Sequence, residues 1–265
     1  MPSFEDILYS VEDSTALITI NRPHRFNAFR GATVEELIQA FRTAWADPGV
    51  RSVILTGAGE KAFCAGGDQK QRAETGDYGA TASGMFEIGN LHKTIRDIPK
   101  PVIAAVNGIA VGGGHVLHVL CDISIAATTA RFGQAGPRVG SFDAGFGSAY
   151  LARVIGEKRA REMWYLCRVY DAQTAERWGL VNAVVPPEQL LSEAKSWAAE
   201  IAEKSPTALR ILKHSFNADT DHQAGLSNLA MSALDIFTDS PEGVEGAAAF
   251  AEKRRPDFAK HVSWH

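Results

Sequence analysis

The sequence predicts an α/β fold in which parallel strands are joined by helices, followed by a helical tail. Three observations carry this. Short continuous apolar runs, SVILT at Ser52–Thr56 and VIAAV at Val102–Val106, read as strands buried on both faces. Segments with helical periodicity lie between such runs, and the strand signal fades after about Gly147. The composition, 45% hydrophobic and 22% charged over 265 residues, supplies a substantial core.

Taken in order, Ile7–Val11 and Ala16–Asn21 read as strands about the turn Glu12-Asp13-Ser14. Thr33-Val34-Glu35-Glu36 reads as a capping box, and Val34, Leu37, Ile38, Phe41 and Trp45 recur at helical spacing until Pro48 and Gly49. The strand Ser52–Thr56 follows, then an amphipathic helix over Met85–Ile95 and the strand Val102–Val106, closed by Asn107-Gly108. Gly112–Gly114 opens a helix through Leu120, and Asp122–Ala127 returns to strand. Beyond Gly147, Ser148–Ile155, Lys158–Leu166, Ala172–Gly179, Pro187–Lys204, Thr207–Asn217 and His222–Phe237 read as helices, with a single strand at Val181–Val185. A division is expected at Lys204-Ser205-Pro206, where proline restricts its predecessor and serine can cap the next helix. It separates a core, 1–204, from a helical C-terminal region, 205–265.

The charge balance narrows the partners. Twenty-seven basic against 31 acidic residues give a net charge of −4, without the broad positive field that nucleic acid would require. Cys64, Cys121 and Cys167 form no disulfide framework and have no C-x-x-C spacing, which fits a reducing cytoplasm. The acidic N-terminus does not read as a signal peptide, and no apolar run reaches the ~18 residues of a membrane span. A small-molecule ligand in the cytoplasm, with no membrane partner, is the expectation.

Two glycine-rich turns, Gly57–Asp68 and Gly108–His115, follow the two buried strands. Ligands of open α/β folds collect beyond strand ends, where glycine lets backbone N–H groups approach an oxygen closely. Two such groups aimed at one oxygen make an oxyanion hole. Neither turn matches G-x-G-x-x-G or G-x-x-x-x-G-K-[ST]. His115 and His118 lie three apart on one helix but lack a third ligand, so no metal is expected. Ser141 is not set in a G-x-S-x-G elbow, which argues against a serine hydrolase.

The two turns, with Asn21-Arg22-Pro23 and Asn27-Ala28 before them and Phe132-Gly133-Gln134 after, resemble the crotonase (enoyl-CoA hydratase/isomerase) superfamily along nearly the whole chain. The resemblance implies a spiral of ββα units and a helical C-terminal trimerisation region that also helps close the active site. It implies a coenzyme A thioester whose oxygen is held by the N–H groups of Gly67 and Gly113, no tightly bound cofactor, and a homotrimer or a homohexamer made of two trimers. A non-catalytic acyl-CoA-binding subunit is the reading from another class, and retention of both glycines with Ser141 and Asp143 speaks against it.

The two glutamates of the enoyl-CoA hydratases are replaced by Val116 and Gly136. Instead, GGGHVLH, FGQ-x-GP-x-VGSFD and LARVIGEKRARE resemble the branch of 1,4-dihydroxy-2-naphthoyl-CoA synthases, whereas NAFRG, RDIPKPVIA, SPTAL and HQAG lean toward 2-ketocyclohexanecarboxyl-CoA hydrolases. The first closes a ring through a thioester enolate and the second opens one. Ser141 and Asp143, two apart, would share a face if the segment is extended and act on one substrate carbonyl. The resemblance adds Tyr78, in a lid over Ala73–Gly84, as a donor to a substrate carbonyl. It also adds a bicarbonate site at Gln134, Gly136 and Trp164, in which the anion replaces a side-chain base.

For coenzyme A, the resemblance points to Phe26, Ala28, Ala65, Asp68, Gln69 and Lys70, with Phe250 and Lys253 reaching the nucleotide end, and Arg25 adding charge opposite phosphate. Two positions depart from it. A catalytic tyrosine of both branches falls on Thr238, and an arginine of the synthases falls on Ala247.

Overall fold

The protein is described by a computed structural model covering residues 4–79 and 81–261. An antiparallel hairpin, β1 (Ile7–Glu12) and β2 (Thr15–Ile20), opens the chain, its turn made by Asp13 and Ser14 at positive φ. Helix α1 (Gly31–Ala46) leads to three similar turns. The first is β3 (Ser52–Gly57) with β4 (Ala62–Cys64), then α2 (Gln69–Thr75) and α3 (Ile88–Asp97). The second is β5 (Val102–Val106) with β6 (Ile109–Val111), then α4 (Gly113–Leu120), and the third is β7 (Ile123–Ala127) with β8 (Arg131–Gly133). A π-helical turn at Phe146–Tyr150 runs into α5 (Leu151–Ile155), followed by α6 (Glu157–Leu166), β9 (Val169–Asp171), α7 (Ala172–Arg177), β10 (Ala183–Val185) and α8 (Leu190–Ala202). The tail is α9 (Pro206–Ala218), α10 (His222–Thr238) and α11 (Pro241–Ala251).

In each turn the first strand joins a six-stranded sheet, β1-β2-β3-β5-β7-β10, and the second joins a four-stranded sheet, β4-β6-β8-β9. The chain therefore winds as the predicted ββα spiral. Strands β4, β6 and β8 are mutually parallel neighbours, so the segments that leave them emerge at one end. Those segments carry Gly67, Gly113 and Asp143. Shared carboxyl ends of parallel strands are where such folds build their sites.

The apolar runs work because both faces of β3 and β5 are covered. Val53, Leu55, Val102 and Ala104 face the main core with Leu37 and Phe41 of α1, while Ile54 and Ile103 face Leu190, Ala194 and Ala198 of α8. Fully buried Phe41, Phe63 and Phe132 anchor the main core, each stabilising by roughly 1.5–3 kcal/mol.

Several boundaries differ from expectation for local reasons. Helix α1 starts two residues before Thr33, which lies at the third helical position; its hydroxyl accepts from Arg30 N–H at 3.1 Å and donates to Asp6 at 2.5 Å. Glu36 does not complete a capping box but receives the N–H groups of Glu5 and Asp6, each at 2.7 Å. The three-residue strands β4, β6 and β8 lie inside stretches read as glycine turns or left unassigned, too short for alternation to register. Strand β9 and helix α11 were not expected, and the predicted helix over Ser148–Ile155 is a π-helical turn followed by one turn of α-helix.

Ser205 does cap α9, accepting from Ala208 N–H at 3.3 Å. The tail is fastened to the core beyond it. Buried Lys213 donates to Asp122 at 2.7 Å and to the carbonyls of Ile95 and Lys100 at 3.1 Å, and Asn217 donates to Arg96 O at 2.7 Å. Among the described residues no helix is long and apolar enough to cross a membrane, and no group of three metal-ligating side chains is assembled.

Candidate active site

Gly67 pairs with Phe29 in an isolated parallel bridge. Phe29 N–H donates to Gly66 O and Asp68 N–H donates to Phe29 O, both at 2.8 Å, so the N–H of Gly67 itself points to the other side. Gly113 opens α4, where a first-turn N–H has no acceptor within the helix. Neither N–H has a protein acceptor among the described residues. The two loops touch: a Cβ built on Gly66 would stand 3.1 Å from Gly113 N, and one on Gly114 would stand 1.9 Å from Cys64 O. Glycine is required here by contact, and the contact brings two free N–H donors to one place.

Aromatic rings line that place. A Cβ on Gly113 would meet Phe29 Cζ at 2.6 Å, and one on Gly67 would meet the Tyr78 ring at 2.5 Å and its hydroxyl at 2.9 Å. Phe86 stacks on Tyr78, with centroids 4.8 Å apart, and on Phe29 at 6.2 Å. Gln69 Nε2 donates to the Tyr78 hydroxyl at 3.2 Å and to Gly67 O at 3.3 Å. Tyr78 is thus held over Gly67.

Asp143 sits in the third segment. Its carboxylate accepts from Gly147 N–H at 3.0 Å, and a Cβ on Gly147 would stand only 2.6 Å from its Cγ. Burial pushes its pKa up from 3.8 to about 6, with the Gly147 hydrogen bond opposing the rise. Residues 141–144 adopt neither helix nor strand. Between Ser141 and Asp143, Phe142 turns to meet Phe237 of α10 at 5.5 Å between centroids. Ser141 N–H donates to Gly136 O at 2.9 Å, and its hydroxyl has no partner among the described residues. The tail covers this loop: Gly140 lies against Gly243 and Gly246 of α11, and Gly145 against Ser227 of α10.

Of the three bicarbonate candidates, Gly136 and Trp164 pack together, and the donors of Gln134 and Trp164 are already engaged. Trp164 Nε1 donates to Gly147 O at 2.6 Å, and Gln134 Nε2 donates to His115 Nδ1 at 3.2 Å. The space beside Gly136 belongs to protein, since a Cβ there would lie 2.7 Å from Ser141 O and 2.9 Å from Trp164 Cζ3. This arrangement does not fit an anion, and no step is derived through bicarbonate. Val116, in the other lost glutamate position, is wholly in the core.

The coenzyme A candidates separate into two groups. Phe26, half exposed, borders a cleft of about 200 Å³ with Pro23 and Ala58–Ala62, and Ala65 N–H donates to Phe26 O at 3.1 Å. Arg25 is half-buried beside them, and Ala28 is buried. Lys70 is exposed and Gln69 half-buried on α2, against which α11 packs; Phe250 and Lys253 are exposed at the end of α11. Asp68 stands apart. Buried, it caps α2 through the N–H groups of Lys70 and Gln71 at 3.1 Å and pairs with Arg22 at 3.0 Å, so its carboxylate serves the scaffold rather than a ligand.

Sequence reasoning named Arg22, Asn27 and His115 but not their part in holding these loops. Buried Asn27, at φ +54°, accepts from Arg22 N–H at 3.0 Å and donates to Ala58 O at 3.0 Å and Ala62 O at 2.7 Å; Arg22 also donates to Ala28 O. His115, driven to a pKa of about 3 by burial, is a neutral acceptor for Gln134. Gly147 entered the sequence reading only as the point after which the strand signal fades. Thr238 donates to Asp235 O of its own helix at 2.9 Å.

This spiral, with its glycine loops meeting at the strand ends, defines a crotonase-type enzyme that processes acyl-CoA. The chain belongs to the enoyl-CoA hydratase/isomerase family, whose model matches residues 10–261. An enoyl-CoA hydratase from Mycobacterium avium subsp. paratuberculosis is 29% identical with a TM-score of 0.85, over 97% of this chain and 99% of that one. Enoyl-CoA hydratase from Bacillus anthracis is 34% identical with a TM-score of 0.71, over 96% and 98%. An enoyl-CoA hydratase/isomerase from Pseudoalteromonas atlantica is 26% identical with a TM-score of 0.84, over 96% and 100%.

Proposed function

We propose that the protein makes or breaks a carbon–carbon bond in a ring attached to a coenzyme A thioester, with ring closure of the 1,4-dihydroxy-2-naphthoyl-CoA synthase type as the leading reading. The observation that supports it is Asp143, a lone carboxyl poised near pH 6 in the loop where Val116 and Gly136 take the places of the hydratase pair. Water addition across a double bond needs that pair; enolate chemistry needs one proton-transferring group and an oxyanion hole.

In ring closure, Asp143 takes the proton from the carbon α to the thioester. The charge moves to the thioester oxygen between the N–H groups of Gly67 and Gly113, and the α-carbon attacks a second carbonyl, that of a carboxylic acid; the proton held by Asp143 passes to a hydroxyl of the tetrahedral adduct, which leaves as water and gives the ring ketone. Tyr78 and Ser141 are the hydroxyls offered to that second carbonyl. Arg25, Phe26, Ala28, Ala65, Gln69, Lys70, Phe250 and Lys253 serve the coenzyme A portion. Each oxyanion donor lowers the barrier by about 2.7–4 kcal/mol.

Ring cleavage of the 2-ketocyclohexanecarboxyl-CoA hydrolase type runs the same machinery backwards. It is favoured by the engagement of Gln134 and Trp164 within the protein, since cleavage asks only that Asp143 activate water. Offering o-succinylbenzoyl-CoA and 2-ketocyclohexanecarboxyl-CoA in parallel, with products identified by mass, tests both. Consumption of the first supports closure, consumption of the second supports cleavage, and consumption of neither overturns the assignment within the family.

A trimer, or a hexamer of two trimers, is the proposed assembly. Ile211, Leu212 and Phe216 of α9 and Leu229 and Ile236 of α10 expose more apolar surface than isolated tail helices need. A monomer by light scattering at micromolar concentration would overturn it. Unpaired Cys64, Cys121 and Cys167 suit a cytoplasmic setting.

A further inference from the structure

Trp164 touches the catalytic loop at both ends. Its ring edge fills the space beside Gly136, and its indole N–H binds the carbonyl of Gly147 at 2.6 Å. Two features leave that carbonyl available. The π-helical turn at Phe146–Tyr150 widens the backbone register, and Leu151 N–H, which a regular α-helix would direct to Gly147, donates to Ser148 O instead. The N–H of the same residue, which belongs to the preceding peptide unit, donates to Asp143 at 3.0 Å. Gly147 is therefore held from both sides, its carbonyl by Trp164 and its N–H by Asp143. Pinning the carbonyl restrains the backbone of a residue with no side chain to hold it, and with that the direction of its N–H.

We infer that Trp164 is a positioning residue for Asp143, fixing the backbone of Gly147 so that its N–H stays aimed at the carboxyl. The inference rests on the reading of Asp143 as the proton-transferring group. Trp164 acts through the peptide and touches no reacting atom.

The other groups around the loop leave this role to the peptide. The titratable or charged groups on the packed elements are His92, Lys93, Arg96 and Asp97 on α3, His115 and His118 on α4, Arg153 on α5, Glu157, Lys158, Arg159, Arg161, Glu162 and Tyr165 on α6, His222 and Asp235 on α10, and Glu242 and Glu245 on α11. None of them contributes to the balance at Asp143, which is set by burial on one side and the Gly147 N–H on the other. His92 and Arg96 instead face the Phe146 ring, at 6.0 and 5.2 Å.

The test is Trp164→Phe, with a second variant carrying β-(3-benzothienyl)alanine at 164, which keeps the bicyclic shape against Gly136 and lacks the N–H. Two quantities are read on the full-length enzyme: the titration of Asp143 by carbon-13 NMR of labelled aspartate carboxyls, assigned with Asp143→Asn, and the acid limb of kcat/KM on the consumed thioester. Weakening the donor removes stabilisation of the carboxylate, so both midpoints rise, by about one pH unit. The benzothienyl variant, with packing retained, shows the same rise, and kcat falls more than KM changes. An NMR midpoint that stays in place in both variants overturns the inference, whatever happens to melting temperature. If the NMR midpoint rises while the acid limb stays fixed, the positioning role stands and the catalytic reading of Asp143 falls.

Discussion

Gly136 and Trp164 are packed face to edge: a Cβ on the glycine would stand 2.9 Å from Cζ3 of the indole. The glycine makes room for a side chain of the same protein. Gly136→Asp therefore does not restore a carboxylate to an open place. It is expected to destabilise by about 1–3 kcal/mol through overpacking and to lose activity, seen as a lowered melting temperature and reduced turnover. In carbonate-depleted buffer the unaltered enzyme is expected to respond flatly to added bicarbonate; a saturable rise would contradict the packing argument.

Asp143→Ala is expected to abolish turnover while acyl-CoA binding persists, measured by calorimetry. Asp143→Asn gives a further signature in stability. The folded-state pKa near 6 lies above the ordinary 3.8, so the folded protein binds more protons than the unfolded chain between these values. The stability contributed by this group is present below about pH 4 and declines as pH rises through about 6. Melting temperatures of the two proteins should agree near pH 4, with the Asn variant ahead at pH 7. A constant gap across this range would place the carboxyl in an ordinary environment.

Crotonyl-CoA should be hydrated weakly or not at all, because Val116 and Gly136 can neither orient nor deprotonate water. The assay is loss of enoyl absorbance. Turnover approaching the ~10⁸ M⁻¹s⁻¹ of diffusion-limited enzymes would sink the two-carboxylate argument.

Gly67→Ala should lower kcat by about 10²–10³-fold. The added methyl meets the Tyr78 ring at 2.5 Å and displaces either that ring or the N–H beside it. Tyr78→Phe in the same background relieves only the hydroxyl contact, so steady-state kinetics of the pair should show little recovery.

Lys213→Ala is expected to cost about 1–3 kcal/mol, since it leaves two carbonyls without their donor, while the exposed Asp122 keeps the N–H of Val102. Chemical denaturation measures the loss. Because Lys213 holds α9 to the core, limited proteolysis should cut near Lys204 sooner than in the unaltered protein.

The parts legible in sequence were those decided by local chemistry. Runs buried on both faces marked β3 and β5, helical spacing marked α1, and the paired glycine turns marked two loops that do lie against each other. What escaped was decided by contact at long range. The three-residue strands β4, β6 and β8 exist because each lies beside the previous turn of the spiral. Asp68 carried a motif position that suggested ligand binding, and its partner Arg22 is 46 positions earlier in the chain. Gln134 and Trp164 carried the pattern of an anion site, but His115 and Gly147 answer their hydrogen bonds from within the chain. Spacing cannot reveal which donors are already occupied.

The three strands that deliver the site loops lie side by side in the order β4, β6, β8, and this order divides the labour of the enzyme. In the proposed reaction, holding the thioester oxygen falls to the first two windings and moving protons falls to the third, under cover of the tail. The two tasks can drift apart in evolution. A descendant can exchange its reaction by rewriting 134–147 and the helices above it, while its grip on coenzyme A passes unchanged from parent to offspring.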